Sequence, residues 1–311
     1  MESEKKHTIF KDKEERLILI RPSFKECNVN CSYCPYKPKK NINNYNSVTE
    51  EMKTFSKIAK LLMEDNGKKT LFFVPSGELF ISDYFVKIFV DLLNNKNVLK
   101  CCFQTNLCFN LTPFLDQVEN KKVMFWVTYH PDAFTKEQET LFFNNLDVLK
   151  KQDIKFSVGI VATKKSLDKL EDFKHLFRKK GIYLWINAMK GIIHIPYNEE
   201  EKKKILAIDK YAKFEINPPK TKGFKCSAGK DSIFIMGNGD ISRCPMIKEK
   251  FGNILKDNKL SFFDNVKICP LDYCPCYIGY MSFKKEEFSR IYGNQIICRL
   301  PIKLESNLSK M

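Results

Sequence analysis

Residues 16–34 read RLILIRPSFKECNVNCSYC. Arg16 to Arg21 is a short β-like run, and Cys27, Cys31 and Cys34 follow in a loop at its C-terminal end. Three thiolates at this C-x3-C-x2-C spacing can hold three irons of a 4Fe-4S cluster, and no fourth cysteine stands nearby for the last iron. An open iron is the functional point, because a free coordination position lets a small molecule bind the metal directly. The spacing alone also admits zinc or a chance match, so the surrounding chain has to decide.

From residue 15 to about 212, short β-like runs alternate with longer segments of helical period, the signature of βα units and a parallel sheet. The expected strands are Arg16 to Arg21, Lys69 to Val74, Leu99 to Gln104, Lys122 to Thr128, Ile154 to Val161 and Ile182 to Asn187. Helices are expected over 49–65, 83–96, 111–118, 134–150, 165–179 and 198–212, with Thr49 and Ser166 as caps. Six units are two short of an eight-stranded barrel, so the fold class is α/β, a partial (β/α)6 TIM-like barrel or an open parallel sheet. In such folds the loops at the C-terminal strand ends build the active site. Three further polar segments fall there: Pro75-Ser76-Gly77-Glu78, Gln104-Thr105-Asn106 and Thr128-Tyr129-His130-Pro131. Ser76-Gly77 also reads as a plain turn, and His130 as a cap of the next helix. His7, His175 and His194 have no such placement and read as surface or core residues.

Beyond Pro218 and Pro219 the texture changes to Gly, Pro, Cys and short strands, placing a boundary near 213–222 between a unit at 15–212 and a smaller one at 213–311. Ser232 to Met236 and Ile241 to Cys244 flank Gly237-Asn238-Gly239-Asp240 and read as a β-hairpin around an Asn-Gly turn. Five cysteines lie in this part: Cys226, Cys244, Cys269, Cys274 and Cys276. A zinc ribbon is one reading of them. Cys101, Cys102 and Cys108 flank the third strand and read as buried core thiols.

The chain has 311 residues, of which 43% are hydrophobic and 29% charged, enough apolar side chain for a sizeable core and against disorder as the main state. Twelve cysteines are too dilute for a secreted disulfide scaffold, and their clustering points to metal ligation in a reducing compartment. The start, MESEKKHTIF, is charged where a signal peptide needs an apolar stretch, and no long apolar run crosses a membrane, so a soluble cytoplasmic protein is expected. Lys plus Arg minus Asp plus Glu is 53 − 37 = +16, which favours an anionic partner. The charge is spread over the chain and no nucleic-acid recognition motif accompanies it.

Cys27-x3-Cys31-Ser32-Tyr33-Cys34 after the first of six βα units resembles the radical S-adenosylmethionine superfamily, and the resemblance covers residues 15–212. It implies a 4Fe-4S cluster on Cys27, Cys31 and Cys34 whose open iron binds S-adenosylmethionine (AdoMet). Tyr33 stands where the family has an aromatic near the adenine. Ser76, Gly77 and Glu78 resemble the family's Gly-Gly-Glu segment for the methionine amino group, with Ser76 replacing the first glycine. Thr105, Asn106, Thr128 and His130 lie where the family places polar groups around ribose and substrate. The second cysteine group, with its hairpin, Gly239-x4-Cys244 and Gly252-Asn253-Ile254, resembles the SPASM extension in its shorter twitch form. One auxiliary iron-sulfur cluster is implied on four of Cys226, Cys244, Cys269, Cys274 and Cys276. The fifth thiol is then free, and Cys226, at the junction of the two units, is the candidate hydrogen-atom donor.

The resemblance implies one-electron cleavage of AdoMet to methionine and a 5′-deoxyadenosyl radical, which takes a hydrogen atom from the substrate. A flavodoxin- or ferredoxin-type protein is implied as the external one-electron reductant. The substrate class expected first is a ribosomally made peptide, epimerised or cross-linked through thioether or carbon bonds. The alternative is oxidation or rearrangement of a small molecule such as a sugar, nucleotide or cofactor precursor. No N-terminal peptide-clamp domain is expected ahead of residue 15, which keeps that alternative open. A competing class is a zinc-stabilised, non-catalytic RNA-binding module.

Overall fold

A computed structural model describes residues 15–36, 48–189, 197–283 and 285–303. His7 and His194 lie outside them. The six expected strands form as β1 (Arg16–Arg21), β2 (Lys69–Phe73), β3 (Val98–Thr105), β4 (Val123–Tyr129), β5 (Lys155–Ala162) and β6 (Leu184–Ala188). They pair parallel in chain order. Between them run α1 (Glu50–Glu64), α2 (Asp83–Asn94), α3 (Thr112–Leu115), α4 (Lys136–Lys151), α5 (Lys164–Leu167) and α6 (Leu170–Lys179), and α7 (Glu199–Ile208) follows β6.

Local chemistry sets the helix bounds. Thr49 accepts from Met52 N, so α1 starts as expected, and it buries Met52, Phe55, Ile58, Ala59 and Leu62 along one stripe. Over 165–179 the chain forms two helices instead of one. Thr163 is the cap of α5, whereas Ser166 lies inside that helix and turns its hydroxyl onto Val161 O and Thr163 O. Such side-chain bonding to backbone carbonyls competes with helix propagation, and α6 restarts after Lys169. α7 stops at Ile208 because the Asp209 carboxylate accepts from Tyr211 N and Ile186 N, starting a separate turn at Lys210–Ala212.

After β6 come β7 (Lys225–Cys226), β8 (Ser232–Met236), β9 (Asp240–Ser242), β10 (Lys250–Asn253) and β11 (Lys267–Ile268). β8 and β9 form the expected hairpin, and Gly239 takes a left-handed φ of +86° in its turn. β8 also pairs parallel with β1, so one nine-stranded sheet, β10-β9-β8-β1-β2-β3-β4-β5-β6, runs across the 213–222 region. β7 and β11 pair separately.

Both faces of the parallel sheet are buried, which is why its strands read as apolar runs. Ile18, Ile20, Leu71, Phe73, Phe103, Phe125 and Val127 pack with the helices. Leu17, Leu19, Phe72, Cys102, Met124, Trp126 and Trp185 face the other way, against Tyr277, Tyr280, Phe288, Tyr292, Ile296, Ile297 and Leu300. The segment near the C-terminus is thus the cover of the second face. Cys102 Sγ donates to Ile297 O at 3.2 Å and Ser157 Oγ to Cys298 O. Arg299 is wholly buried there, paired with Glu215 at 2.6 Å and Asp209 at 3.3 Å.

Candidate metal centre and cofactor site

The cysteine loop is anchored by Phe24 and Val29, both buried, with Phe24 in ring contact with Phe85 of α2. Cys34 N donates to Cys31 O at 3.1 Å, closing the turn that carries the second and third thiols. Cys27 and Cys31 pack against the core, and all three cysteines are free of disulfides.

The loop after β2 is tied to this segment by backbone. Glu78 N donates to Glu26 O at 2.8 Å, and a Cβ on Gly77 would stand 2.1 Å from that same carbonyl. Only glycine permits the approach. Ser76 beside it is half-buried. Glu78 is 1% exposed, and its carboxylate accepts from Phe80 N at 3.2 Å, Thr105 Oγ1 at 2.8 Å and Asn106 N at 2.8 Å. Burial raises its pKa to about 7 against the pull of those hydrogen bonds.

Asn106 carries the connection back to the cysteines. Its Nδ2 donates to Asn28 Oδ1 at 2.8 Å and lies 3.7 Å from Cys27 Sγ. Asn28 Nδ2 donates to Cys108 O at 2.6 Å, and Gln138 Nε2 of α4 donates to Asn28 O at 2.7 Å. Asn28, Gln138 and the Cys108 backbone therefore belong to the site framework. Cys101 and Cys102 are core thiols as expected, while Cys108, also buried, borders this network. Asn28 was open to inspection inside the cysteine motif, but nothing in the sequence pairs it with Asn106.

His130 follows β4, and its Nδ1 lies 2.8 Å from Tyr33 Oη and 3.2 Å from Cys31 Sγ. It does not cap α4; Thr135 does, in a reciprocal pair with Gln138. Burial lowers the His130 pKa to about 4, so the ring is neutral. Thr128 is half-buried in β4 opposite Gly159. The loops after β1, β2, β3 and β4 thus meet around three thiols.

Burial raises the Cys27 thiol to about 11 and Cys31 to about 12, with the neighbouring cysteines adding like-charge repulsion. A cation that takes the thiolates relieves both penalties. Among the described residues no group of three or more His, Cys, Asp or Glu side chains is set around a single ion. An iron-sulfur cluster takes one sulfur per iron, so its ligands need not converge on one point, and the three thiols fit that group.

The second cysteine group also comes together. Cys226 on β7 and Cys269 after β11 are buried in one small cluster with Ala228, and Cys244 packs on it. Burial raises the Cys274 thiol to about 12, with Cys276, Cys244 and Cys226 adding like-charge repulsion. Gly279 passes so close that a Cβ there would stand 2.8 Å from Cys274 Sγ. By burial Cys226 does not stand apart, since Cys269 and Cys274 are buried too; Cys244 and Cys276 are the two more exposed. Arg243, buried and absent from the sequence expectations, donates to Ile268 O and Cys226 O, while its Nε has no partner among the described residues. A buried cation with an orphan donor beside thiols suits an anionic occupant such as an iron-thiolate cluster.

The same fold occurs among solved structures. Native anSMEcpe with bound AdoMet matches with a TM-score of 0.54 at 15% identity, over 76% of this chain and 77% of that one. This chain shares the fold of anSMEcpe. The structure of native anSMEcpe with bound AdoMet and the Cp18Cys peptide matches with a TM-score of 0.53 at 14% identity, over 77% of each chain. By sequence, the chain is 28% identical over 267 residues to MJ0907, an uncharacterised protein of Methanocaldococcus jannaschii, covering 78% of this chain and 90% of that protein. No protein-family model matches the sequence. No helix among the described residues is long and apolar enough to cross a membrane.

Proposed function

We propose that this protein is a radical AdoMet enzyme in which Cys27, Cys31 and Cys34 hold three irons of a 4Fe-4S cluster and AdoMet occupies the open iron. The observation that carries this reading is the convergence of four strand-end loops on those thiols, with Asn106 beside Cys27 and His130 beside Cys31. The fold shared with AdoMet-bound anSMEcpe supports it. When bound, the cluster supplies the single electron that opens the AdoMet sulfonium. Gly77 keeps the Ser76-Gly77 backbone against the cysteine loop, where the methionine end would be received. Glu78 has both oxygens engaged by the chain, so it holds the ends of β2 and β3 in register rather than reaching outward. Tyr33, Thr128 and His130 border the remaining space.

The second unit, residues 213–311, would carry an auxiliary cluster on four of its five cysteines, and buried Arg243 supports an anionic group there. Modification of a ribosomally made peptide is the substrate reading, supported by the peptide complex of anSMEcpe; the +16 charge suits an acidic leader peptide and equally a nucleotide or phosphosugar. A flavodoxin- or ferredoxin-type donor would supply electrons in the cytoplasm.

Anaerobic reconstitution followed by iron counting and assay of 5′-deoxyadenosine tests the assignment. Replacing Cys27, Cys31 and Cys34 together by Ala should remove about four irons, one cluster's worth, and abolish AdoMet cleavage. Cleavage retained in the triple variant would falsify it, and tightly held zinc without turnover would favour a metal-stabilised binding module.

A further inference from the structure

We propose that His130 and Tyr33 act as paired hydrogen-bond donors to the Cys31 sulfur and raise the reduction potential of the cluster. The inference rests on the reading of Cys31 as an iron ligand. His130 Nδ1 is 3.2 Å from Cys31 Sγ and 2.8 Å from Tyr33 Oη, which brings the Tyr33 hydroxyl beside the same sulfur. Three polar atoms from two loops therefore meet at one point.

The proton count follows from the chemistry of the sulfur. A cysteine bound to iron is a thiolate and can only accept. The proton between His130 and Cys31 must then sit on Nδ1, which leaves Nε2 as the ring's acceptor. A protonated Nδ1 cannot receive a bond from Tyr33, so the Tyr33 oxygen shares the Nδ1–H and its own proton is free to turn to the sulfur. One sulfur can thus receive both donors. The rings hold each other in place, stacked with centroids 6.1 Å apart and 22° between planes, and Phe134 meets His130 edge-on at 5.7 Å.

One-electron reduction adds negative charge to a cluster, and donors aimed at its sulfurs stabilise that charge more than the oxidised form. His130 and Tyr33 are positioning residues in this sense, acting through Cys31. The Asn106 amide, 3.7 Å from Cys27 Sγ, is a longer contact of the same kind.

The test is the reduction potential of the reconstituted full chain, read by electron paramagnetic resonance from the signal that changes on adding AdoMet. A wild-type protein without such a signal overturns the cluster reading itself. With that signal present, His130→Phe should keep its iron but lower the reduction equilibrium constant about tenfold, 59 mV for a one-electron couple. His130→Asn keeps an amide donor near the Nδ1 position and should recover most of the loss, and Tyr33→Phe should lower the potential by a smaller amount. A His130→Phe potential equal to wild type at equal iron content overturns the inference, as does a His130→Asn potential as low as that of Phe. Where His130→Phe fails to fold or to hold iron, Tyr33→Phe decides: an unchanged potential rejects the paired donors.

Discussion

Replacing Arg299 by Met tests whether the segment near the C-terminus is held on the sheet by its buried charges. The Arg299 guanidinium pairs with Glu215 at 2.6 Å and Asp209 at 3.3 Å, and lies over the rings of Tyr277 at 3.7 Å and Trp185 at 4.2 Å. Those carboxylates also hold β6, through Ile186 N on Asp209 and Ala188 N on Glu215. Methionine fills much of the volume but leaves two carboxylates buried without their cation. Breaking a buried pair from one side costs about 3–5 kcal/mol, and a desolvated cation–π contact adds up to about 2. Against a total stability of about 5–15 kcal/mol, the variant should lose about a quarter or more. Urea unfolding at pH 7 should therefore show a loss of about 4 kcal/mol. Burial already raises the Asp209 pKa, and Arg299 opposes that shift. Without the arginine the folded state holds a proton that the unfolded state has released above its ordinary carboxylate pKa. The variant's stability then falls as pH rises, and its gap to wild type narrows as pH drops from 7 toward 5. A loss below about 1 kcal/mol, or a gap that does not move with pH, refutes the reasoning.

Gly77→Ala places a Cβ against Glu26 O and should displace the cysteine loop, so iron incorporation at Cys27, Cys31 and Cys34 should fall while circular dichroism stays near wild type. Because Glu78 holds the ends of β2 and β3 in register, Glu78→Gln should weaken AdoMet binding indirectly, measured by equilibrium dialysis, at wild-type iron content; binding unchanged with iron lost confines Glu78 to holding the cysteine loop. Because Glu78 is raised to about 7 in the fold, wild type should lose stability relative to Glu78→Gln as pH rises from about 4.5 to 7, visible in urea melts at pH 5 and 8. Single Ala variants at Cys226, Cys244, Cys269, Cys274 and Cys276 locate the free thiol: a donor variant keeps full iron and still yields 5′-deoxyadenosine while losing the normal product. If Cys226→Ala empties the auxiliary site, Cys226 is a ligand.

The alternation of strands and helices was legible along the chain because each parallel strand is covered on both faces and so reads as an apolar run, as in Leu17 to Ile20. The cysteine loop was legible because its thiols are contiguous and its place after β1 is local information. The polar segments ending β2, β3 and β4 followed from the same strand count. Partnerships across the sheet were not legible. That β8 would lie parallel to β1 depends on which edge the chain returns to, and the hairpin pattern of residues 232–244 is the same for either edge. The cover of the second face by Tyr277 through Leu300 was hidden for a related reason, since burial marks a residue as apolar without naming what it meets. Asn106 beside Cys27, His130 on both Tyr33 and Cys31, and Arg243 against Cys226 are contacts between residues 17 to 99 positions apart. Local periodicity carries no term for such distances; sheet register and loop length bring these atoms together, and only the folded chain sets both.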